Sequence, residues 1–378
     1  MNTVEYKGFT CRYPLITYSY AWKGREYHRQ VDLGNLSRVQ SENCDAMVRD
    51  RLIAHVGLAI AREFFRIGRI DRISVRPPHF FEESAAFFET WFRAGLAELR
   101  YVNGIPLDAP IEFLIDKPQN PQPAECTGTG ILLCNGGGKD SVVAAEALNH
   151  AGEPFTWLSL SPSLAMEGIQ SLSGAPGLHV RAGLGRAEFK AQKRFKGHLP
   201  FLPMVALTGT LVAHLQNFAC VAAGNEYSAN FGNLEHNGFS VNHQYGKSFE
   251  FENLFRAYLA RNLTRISWFS VLQPFYELQI AQAFARFPQY FQVFKSCNAG
   301  HRRDRWCRHC PKCAFIYLTL SAFLDRTAIF EIFDGDPWKE SRIRETVRDL
   351  VTGARKPFEC VGTFDEAREA ARLMLENP

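Results

Sequence analysis

An α/β fold is what this 378-residue sequence predicts: a parallel sheet flanked by helices, preceded by a smaller N-terminal α+β domain. Three observations carry the expectation. From Thr129 onward, short apolar runs alternate with helical stretches, the pattern of right-handed βαβ units. Before that point, aromatic and β-branched runs are mixed with amphipathic helices. Between the two lies KPQNPQPAECTGTG, whose prolines fix φ and offer no N–H, so it reads as a linker. The division expected is residues 1–125 as a substrate-binding domain, then 126–330 as the main α/β domain with a four-cysteine site, then a helical segment over 331–378.

The elements follow in order. RYPLITYSYAW alternates and is rich in aromatic and β-branched residues, so it predicts strands. SENCDAMVRDRLIAHVGLAIAREFF predicts an amphipathic helix with Ser41 as its N-cap. RIDRISVRP is a short strand, EESAAFFETWFRAGLAELRYV a helix, and PIEFLID a strand. Past the linker come GILLCN, DSVVAAEALNHAG, FTWLSLSP, LPMVALTGTLVAHLQN and FACVAAGNE, read as strand, helix, strand, helix, strand. Residues 254–295 read as largely helical. AFIYLTLSAFL is an apolar helix, and the remainder forms helices with a charged outer face.

Composition narrows the classes. Hydrophobic residues are 46 % and charged residues 22 %, close to globular averages, which excludes a disordered or collagen-like chain. The 31 Phe predict an aromatic-rich core and an apolar cleft. A net charge of +4 is small for a dedicated nucleic-acid binder and compatible with a small anionic substrate. The start MNTVEYKGFT has no apolar signal region, and no apolar run is long enough to span a bilayer, so a cytoplasmic protein without a membrane partner is expected. Ten cysteines in that compartment point to metal binding in preference to disulfides. Cys11, Cys44, Cys126, Cys134, Cys220 and Cys360 read as reduced thiols.

One turn is glycine-rich. Ile131-Leu-Leu-Cys-Asn-Gly-Gly-Gly-Lys-Asp-Ser runs from a buried strand into a helix. Successive glycines let backbone amides approach a ligand, and the helix start offers free N–H groups and a positive dipole end to an anion. Lys139 is followed by Asp140, not Ser or Thr, so a Walker A loop is excluded, and the glycine spacing excludes the dinucleotide fingerprint. The turn resembles the PP-loop, S-G-G-x-D-S, of ATP pyrophosphatases, with Gly136 in the serine's place. That resemblance implies an ATP site made by Asn135, Gly136, Gly137, Gly138, Lys139, Asp140 and Ser141. In it Asp140 positions Mg2+ or a loop amide, and Asn135 substitutes for the missing hydroxyl. Lys139 either neutralises phosphate or faces solvent. Leu158 to Ser161 would run beside the adenosine.

Cys297, Cys307, Cys310 and Cys313 are spaced C-x9-C-x2-C-x2-C. Four thiolates so close suit a tetrahedral Zn2+ with every position filled, hence structural; a [4Fe–4S] cluster is the competing reading. The flank HRRDRWCRHCPKC is basic, either to meet a phosphorylated partner or to balance the charge of a metal tetrathiolate.

A PP-loop followed by this cysteine spacing resembles 7-cyano-7-deazaguanine synthase (QueC). CNGGGKDS, GHLPFLPMVALTGTLVAHL, AAGNEYSANFGN, VNHQYGKSFEFE and SCN…WCRHCPKCAF resemble more fully the UDP-N-acetylmuramoyl-L-alanyl-L-glutamate epimerase (MurL) family, over most of residues 125–325. The resemblance implies a PP-loop (adenine nucleotide alpha hydrolase-like) fold. It also implies a substrate, UDP-MurNAc-L-Ala-L-Glu, converted to its D-Glu isomer with ATP giving AMP and pyrophosphate. The segment Gly224 to Ser248 follows the strand FACVAA, at whose carboxyl end ligands of open α/β sheets sit. Glu226, His243 and Lys247 are the catalytic candidates there, with Asn230 and Asn233 as carboxylate binders. A deazaguanine-synthase-like enzyme and an RNA-modifying adenylating enzyme stay open as alternatives at this point.

Overall fold

The computed structural model describes residues 2–184, 189, 191–297, 299–300 and 303–376. The chain begins with three antiparallel strands, β1 (Thr3–Arg12), β2 (Leu15–Trp22) and β3 (Arg25–Asp32). Along β2 the even positions Ile16, Tyr18, Tyr20 and Trp22 are buried, as the two-residue period of a strand demands. A short helix α1 (Arg38–Asn43) leads into α2 (Ala46–Ile60), which crosses that face. At Gly57 the helix lies against the strands: a Cβ there would sit 2.2 Å from the Tyr6 hydroxyl. Tyr20 also donates to the Gly57 carbonyl at 2.6 Å.

Next come β4 (Arg72–Val75), α3 (Glu82–Gly95), α4 (Ala97–Val102) and β5 (Glu112–Ile115). The second half opens with β6 (Ile131–Cys134), α5 (Lys139–Ala151), β7 (Phe155–Leu160), α6 (Leu164–Ser173), β8 (Gly177–Leu184), α7 (Leu202–Leu215) and β9 (Cys220–Ala223). A small hairpin, β10 (Leu234–His236) and β11 (Phe239–Val241), precedes α8 (Phe249–Tyr258), β12 (Ser267–Ser270) and α9 (Glu277–Phe284). Four helices close the chain: α10 (Pro311–Ser321), α11 (Arg326–Phe333), α12 (Ser341–Thr352) and α13 (Phe364–Glu376).

Ten strands form one sheet in the order β12-β9-β6-β7-β8-β3-β2-β1-β4-β5. The five from β12 to β8 are mutually parallel, so the α/β expectation holds. The antiparallel pairing of β3 with β8 carries the sheet from the N-terminal strands into the parallel part without a break. One core packs the aromatic N-terminal strands with α2, α3 and α7; the other packs α5 with α9, α10, α12 and α13 on the opposite face. The abundant Phe lie chiefly in the first: Phe64, Phe80, Phe81, Phe88 and Phe92 are buried among Tyr and Trp rings. No helix among the described residues is long and apolar enough to cross a membrane.

Three local readings need correction. Ser41 is not an N-cap: it lies inside α1, and the caps are Ser37 for α1 and Asp45 for α2, whose carboxylate accepts from the Met47 and Val48 amides. Residues 82–102 are two helices, parted at Leu96. Residues 254–295 are not largely helical, because SWFS forms β12, paired with β9 at the sheet edge. A four-residue strand within aromatic sequence leaves too short a pattern to separate from helix.

Candidate active site

All five parallel strands end on one side, and the loops leaving β6, β9 and β12 converge there. After β6 the backbone turns through Gly137, at φ +73°, into α5, whose N-cap is Gly138. The Ser141 hydroxyl accepts from the Gly136 amide at 2.8 Å, and Asn135 Oδ1 accepts from the Gly137 amide at 2.9 Å. Asn135 also donates to the Met166 carbonyl at 3.0 Å. Asn135 and Ser141 thus brace the turn from within. A Cβ on Gly138 would stand 2.8 Å from the Ser296 hydroxyl, so a larger residue here would have to displace that side chain. The amides of the first turn of α5 then face the sheet's carboxyl edge as an anion site.

Beside this turn is a buried group of charges. Asp140, Glu226 and Glu277 bring carboxylate oxygens within 4.8 Å of one another. Lys139, 1 % exposed, is ion-paired to both Asp140 and Glu277, which rules out its facing solvent. Lys247 lies 3.1 Å from both oxygens of Glu226 and 4.0 Å from Asp140. Burial opposes the charge on Lys247, but Glu226, Cys360 and Asp140 outweigh it and hold its pKa well above the ordinary range. Burial likewise raises Glu226 despite Lys247. The three carboxylates could hold a divalent cation, which would have to compete with the two ammonium groups for them.

A second chain of polar groups adjoins the first. His243, which follows β11, has Nδ1 at 2.5 Å from a Glu98 oxygen of α4, while the other Glu98 oxygen accepts from the His198 amide at 3.0 Å. Burial disfavours the charge on His243, yet Cys360 and Glu98 outweigh it and push its pKa up to about 10. The thiol moves the other way. Burial raises it, but Lys312, Lys247 and His243 together bring it down to about 6. Cys360 sits on a strap before α13 that is tied across these loops: Asn233 donates to the Pro357 carbonyl at 2.6 Å, Gln244 to Val361 at 3.0 Å, and Lys356 to the Phe231 carbonyl at 2.8 Å.

The structure therefore brings Glu226 and Lys247 to the glycine-rich turn, while His243 pairs with Glu98 instead. Asn230 and Asn233 are engaged in shaping the loops: Asn230 accepts from the Phe249 amide and Asn233 from the His243 amide. Sequence reasoning missed Glu277, Glu98 and Lys312, and left Cys360 as an ordinary thiol. Lys312 carried a faint signal, being the Lys of C-P-K-C; its charge acts on both Asp140 and Cys360. An adjoining cavity of about 860 Å³ opens between α3, the β10–β11 hairpin and α8, lined in part by Arg93, Tyr227, Asn242, Tyr245 and Phe249.

Cys297, Cys307, Cys310 and Cys313 converge as expected. Cys313 Sγ is 3.5 Å from Cys310 Sγ and 3.7 Å from Cys307 Sγ. A tetrahedral site with metal–sulfur bonds of about 2.3 Å has edges of about 3.8 Å, so the spacing fits a metal. The amides of Gly300 and Cys307 point at Cys297 Sγ at 3.1 and 3.3 Å, and the Cys313 amide at Cys310 Sγ, the N-cap of α10, at 3.4 Å; all three favour thiolate.

Comparison with known proteins agrees along the chain. Residues 4–271 match the family described as MurL N-terminal domain, and residues 293–378 match the MurL C-terminal domain. A protein of Micromonospora sp. named UDP-N-acetyl-alpha-D-muramoyl-L-alanyl-L-glutamate epimerase is 34 % identical over 313 residues, 80 % of this chain and 70 % of that one. Proteins of the same name from Salinispora tropica and Xanthomonas oryzae pv. oryzae are 35 % and 32 % identical, over 75 % and 77 % of this chain. Those matches span 65 % and 67 % of the two relatives, so the chain covers about two thirds of their length. Among solved structures, NMN synthetase from Francisella tularensis is similar at a TM-score of 0.31 and 14 % identity, covering 61 % of this chain and 88 % of that one, too distant to bear on function.

Proposed function

The chain belongs to the MurL family, and on that footing we propose that it is the ATP-dependent epimerase of UDP-MurNAc-L-Ala-L-Glu, acting in the cytoplasm to supply the D-Glu isomer for peptidoglycan. The observation that carries the reading is the junction of a PP-type anion turn, residues 136–141, with the buried Glu226–Lys247 pair. An epimerase of a peptidyl glutamate needs both. The α-proton beside an ionised carboxylate is scarcely acidic, because that carboxylate cannot accept more charge. Attack of the carboxylate on the α-phosphorus of ATP expels pyrophosphate and leaves an acyl adenylate. The proton can then leave, with the C–H electron pair drawn into the activated acyl group.

In this mechanism the amides of Gly138 to Ser141, at the start of α5, bind the phosphates, and Asp140, with Glu226 and Glu277 nearby, is the edge that would hold the Mg2+ accompanying ATP. The ammonium of Lys247, fixed by Glu226, stabilises the enolate and returns a proton to the α-carbon. His243 supports the proton transfer from beside it. Water then hydrolyses the adenylate to AMP. The four-cysteine site would hold a structural Zn2+, fixing the start of α10 and with it Lys312.

The test is incubation with ATP, Mg2+ and UDP-MurNAc-L-Ala-L-Glu in heavy water. D-Glu carrying deuterium at the α-position, together with AMP and pyrophosphate, is expected. Glutamate that stays L with no AMP formed overturns the reading.

A further inference from the structure

The cavity of about 860 Å³ beside the site is larger than a glutamyl group needs, within the range of about 300–1,000 Å³ that whole small-molecule ligands occupy. It is tied to the buried ion pair at two places in the chain. Glu226 is buried, and the next residue, Tyr227, lines the cavity; Lys247 pairs with Glu226, and the next residue, Ser248, lines it too. Gln273, also in the wall, donates from Nε2 to the Lys247 carbonyl at 3.2 Å and accepts from Asn230 at 3.2 Å. Among the described residues, none of 135–141 lines it. Lys247 stands 4.0 Å from Asp140 in the first turn of α5, so the order across the site is anion turn, Glu226–Lys247 pair, cavity.

We propose that this cavity holds the nucleotide-sugar half of the substrate, with the glutamyl end reaching out of it to Lys247. The inference rests on the epimerase reading. Thr90, Arg93 and Ala94 stand at i, i+3 and i+4 on α3, so one helix face forms a wall. Arg93 supplies a charge that makes no ion pair and no hydrogen bond among the described residues. A guanidinium fork open to a cavity matches a diphosphate. From α8 come Glu250, which accepts from the Tyr245 hydroxyl at 3.3 Å, and Asn253, whose side chain has no partner among the described residues. Carboxylate and amide oxygens are the acceptors that the hydroxyls of ribose and sugar and the N–H of uracil require. Tyr227, Phe239 and Phe249 leave exposed aromatic rings around the same space, surface that a nucleobase covers by stacking. Tyr227 is held by edge contacts to Phe231 and Tyr276, with ring centres 5.6 and 4.9 Å away.

The order across the site favours this occupant over the adenosine of ATP. An adenosine would have to pass the Glu226–Lys247 pair to reach the cavity from phosphates held at the start of α5. The substrate has the opposite need: its glutamyl carbon belongs at Lys247, and its bulk lies on the far side of Lys247 from the anion turn.

The test uses the full chain, the variants Arg93→Ala and Phe249→Ala, and UDP-MurNAc as a probe that lacks the dipeptide. Both side chains are exposed, so both variants should fold as the unaltered protein does. Calorimetric titration should show UDP-MurNAc binding to the unaltered protein. Affinity should fall about 10–100-fold in Arg93→Ala, the worth of a hydrogen bond to a charged group. It should fall about 10-fold in Phe249→Ala, the worth of a stacked base. In turnover, KM for UDP-MurNAc-L-Ala-L-Glu should rise by similar factors, with kcat and the KM for ATP within a few fold of the reference. Unchanged UDP-MurNAc affinity in both variants overturns the proposal. So does a raised KM for ATP beside an unchanged KM for the dipeptide substrate, which would give the cavity to adenosine. D-Glu formation by a protein that does not bind UDP-MurNAc overturns the proposal and leaves the epimerase intact. UDP-MurNAc binding that is lost in Arg93→Ala, in a protein that forms no D-Glu, overturns the epimerase reading and leaves the cavity assignment standing.

Discussion

Both carboxylate oxygens of Glu226 lie 3.1 Å from the ammonium nitrogen of Lys247. Glu226 is wholly buried and Lys247 is 21 % exposed, so the carboxylate is removed from water and its partner nearly so. Breaking such a pair from one side costs about 3–5 kcal/mol, because the remaining charge is left without a partner in a low-dielectric setting. Lys247→Met should therefore destabilise the fold by about that amount in chemical denaturation. Adding Glu226→Gln should recover most of the loss while activity stays absent. A double variant no more stable than Lys247→Met would show that the pair carries no coupled burial cost.

Gly224 follows β9 and lies against the first turn of α5. A Cβ there would stand 2.8 Å from the Asp140 carbonyl oxygen and 3.1 Å from its carbon, both backbone atoms that cannot swing aside. Gly224→Ala should push the anion turn off the sheet, costing about 1–3 kcal/mol of stability and most of the AMP-forming activity. Gly152→Ala is the control. Its φ is +73° and no atom lies within 4 Å of the added carbon, so it should cost about 1 kcal/mol of backbone strain and leave AMP formation unchanged.

The sequence made part of this site legible and hid the rest for a physical reason. Gly136 to Ser141 and the four cysteines are local: one turn or one knuckle contains the whole signal. Glu226, His243 and Lys247 could be found because they crowd one polar loop after a strand end. Glu98 could not, because it is unremarkable among its own neighbours and gains its role only where the chain folds His243 against it. Glu277 is hidden in the same way, at the first turn of α9 and opposite Lys139. In the fold, βαβ alternation foretold the parallel strands, but nothing in the pattern of β3 or β8 announces that they pair and fuse the two halves of the sheet.

The cysteine knuckle should carry one metal per chain, retained through gel filtration. Metal analysis finding zinc without visible absorption supports a structural tetrathiolate, whereas iron with a broad visible band would assign an iron–sulfur cluster. Cys310→Ser removes both a ligand and the sulfur that caps α10. It should lose the metal and lower the melting temperature. Asp140→Ala should keep the metal and lose AMP release. Retained AMP release in Asp140→Ala would remove the turn from the mechanism.

Acid should weaken the fold through its buried histidines, His55 and His198 above all. His55 is fully buried, with Nδ1 2.7 Å from the Arg51 carbonyl and Nε2 2.6 Å from the Tyr258 hydroxyl, and burial lowers its pKa to about 3. Burial, helped by the charge of His243, lowers His198 to about 3 as well. Between pH 6.5 and 3 the unfolded chain binds protons at both positions and the folded chain does not. Stability therefore falls as pH drops through that window, by about 1.4 kcal/mol per unit for each histidine. His243 adds no slope there: its folded pKa is raised to about 10, so its contribution is complete below pH 6.5 and fades as pH rises toward 10. Cys360, lowered to about 6, gains stability from pH 6 toward 9 and offsets that fading, leaving a plateau near neutrality. Chemical denaturation at intervals from pH 4.5 to 8 should show the plateau and the acid limb. In His55→Gln the limb should become shallower, whatever the variant costs at pH 7, and an unchanged slope would mean that His55 is already charged in the folded protein.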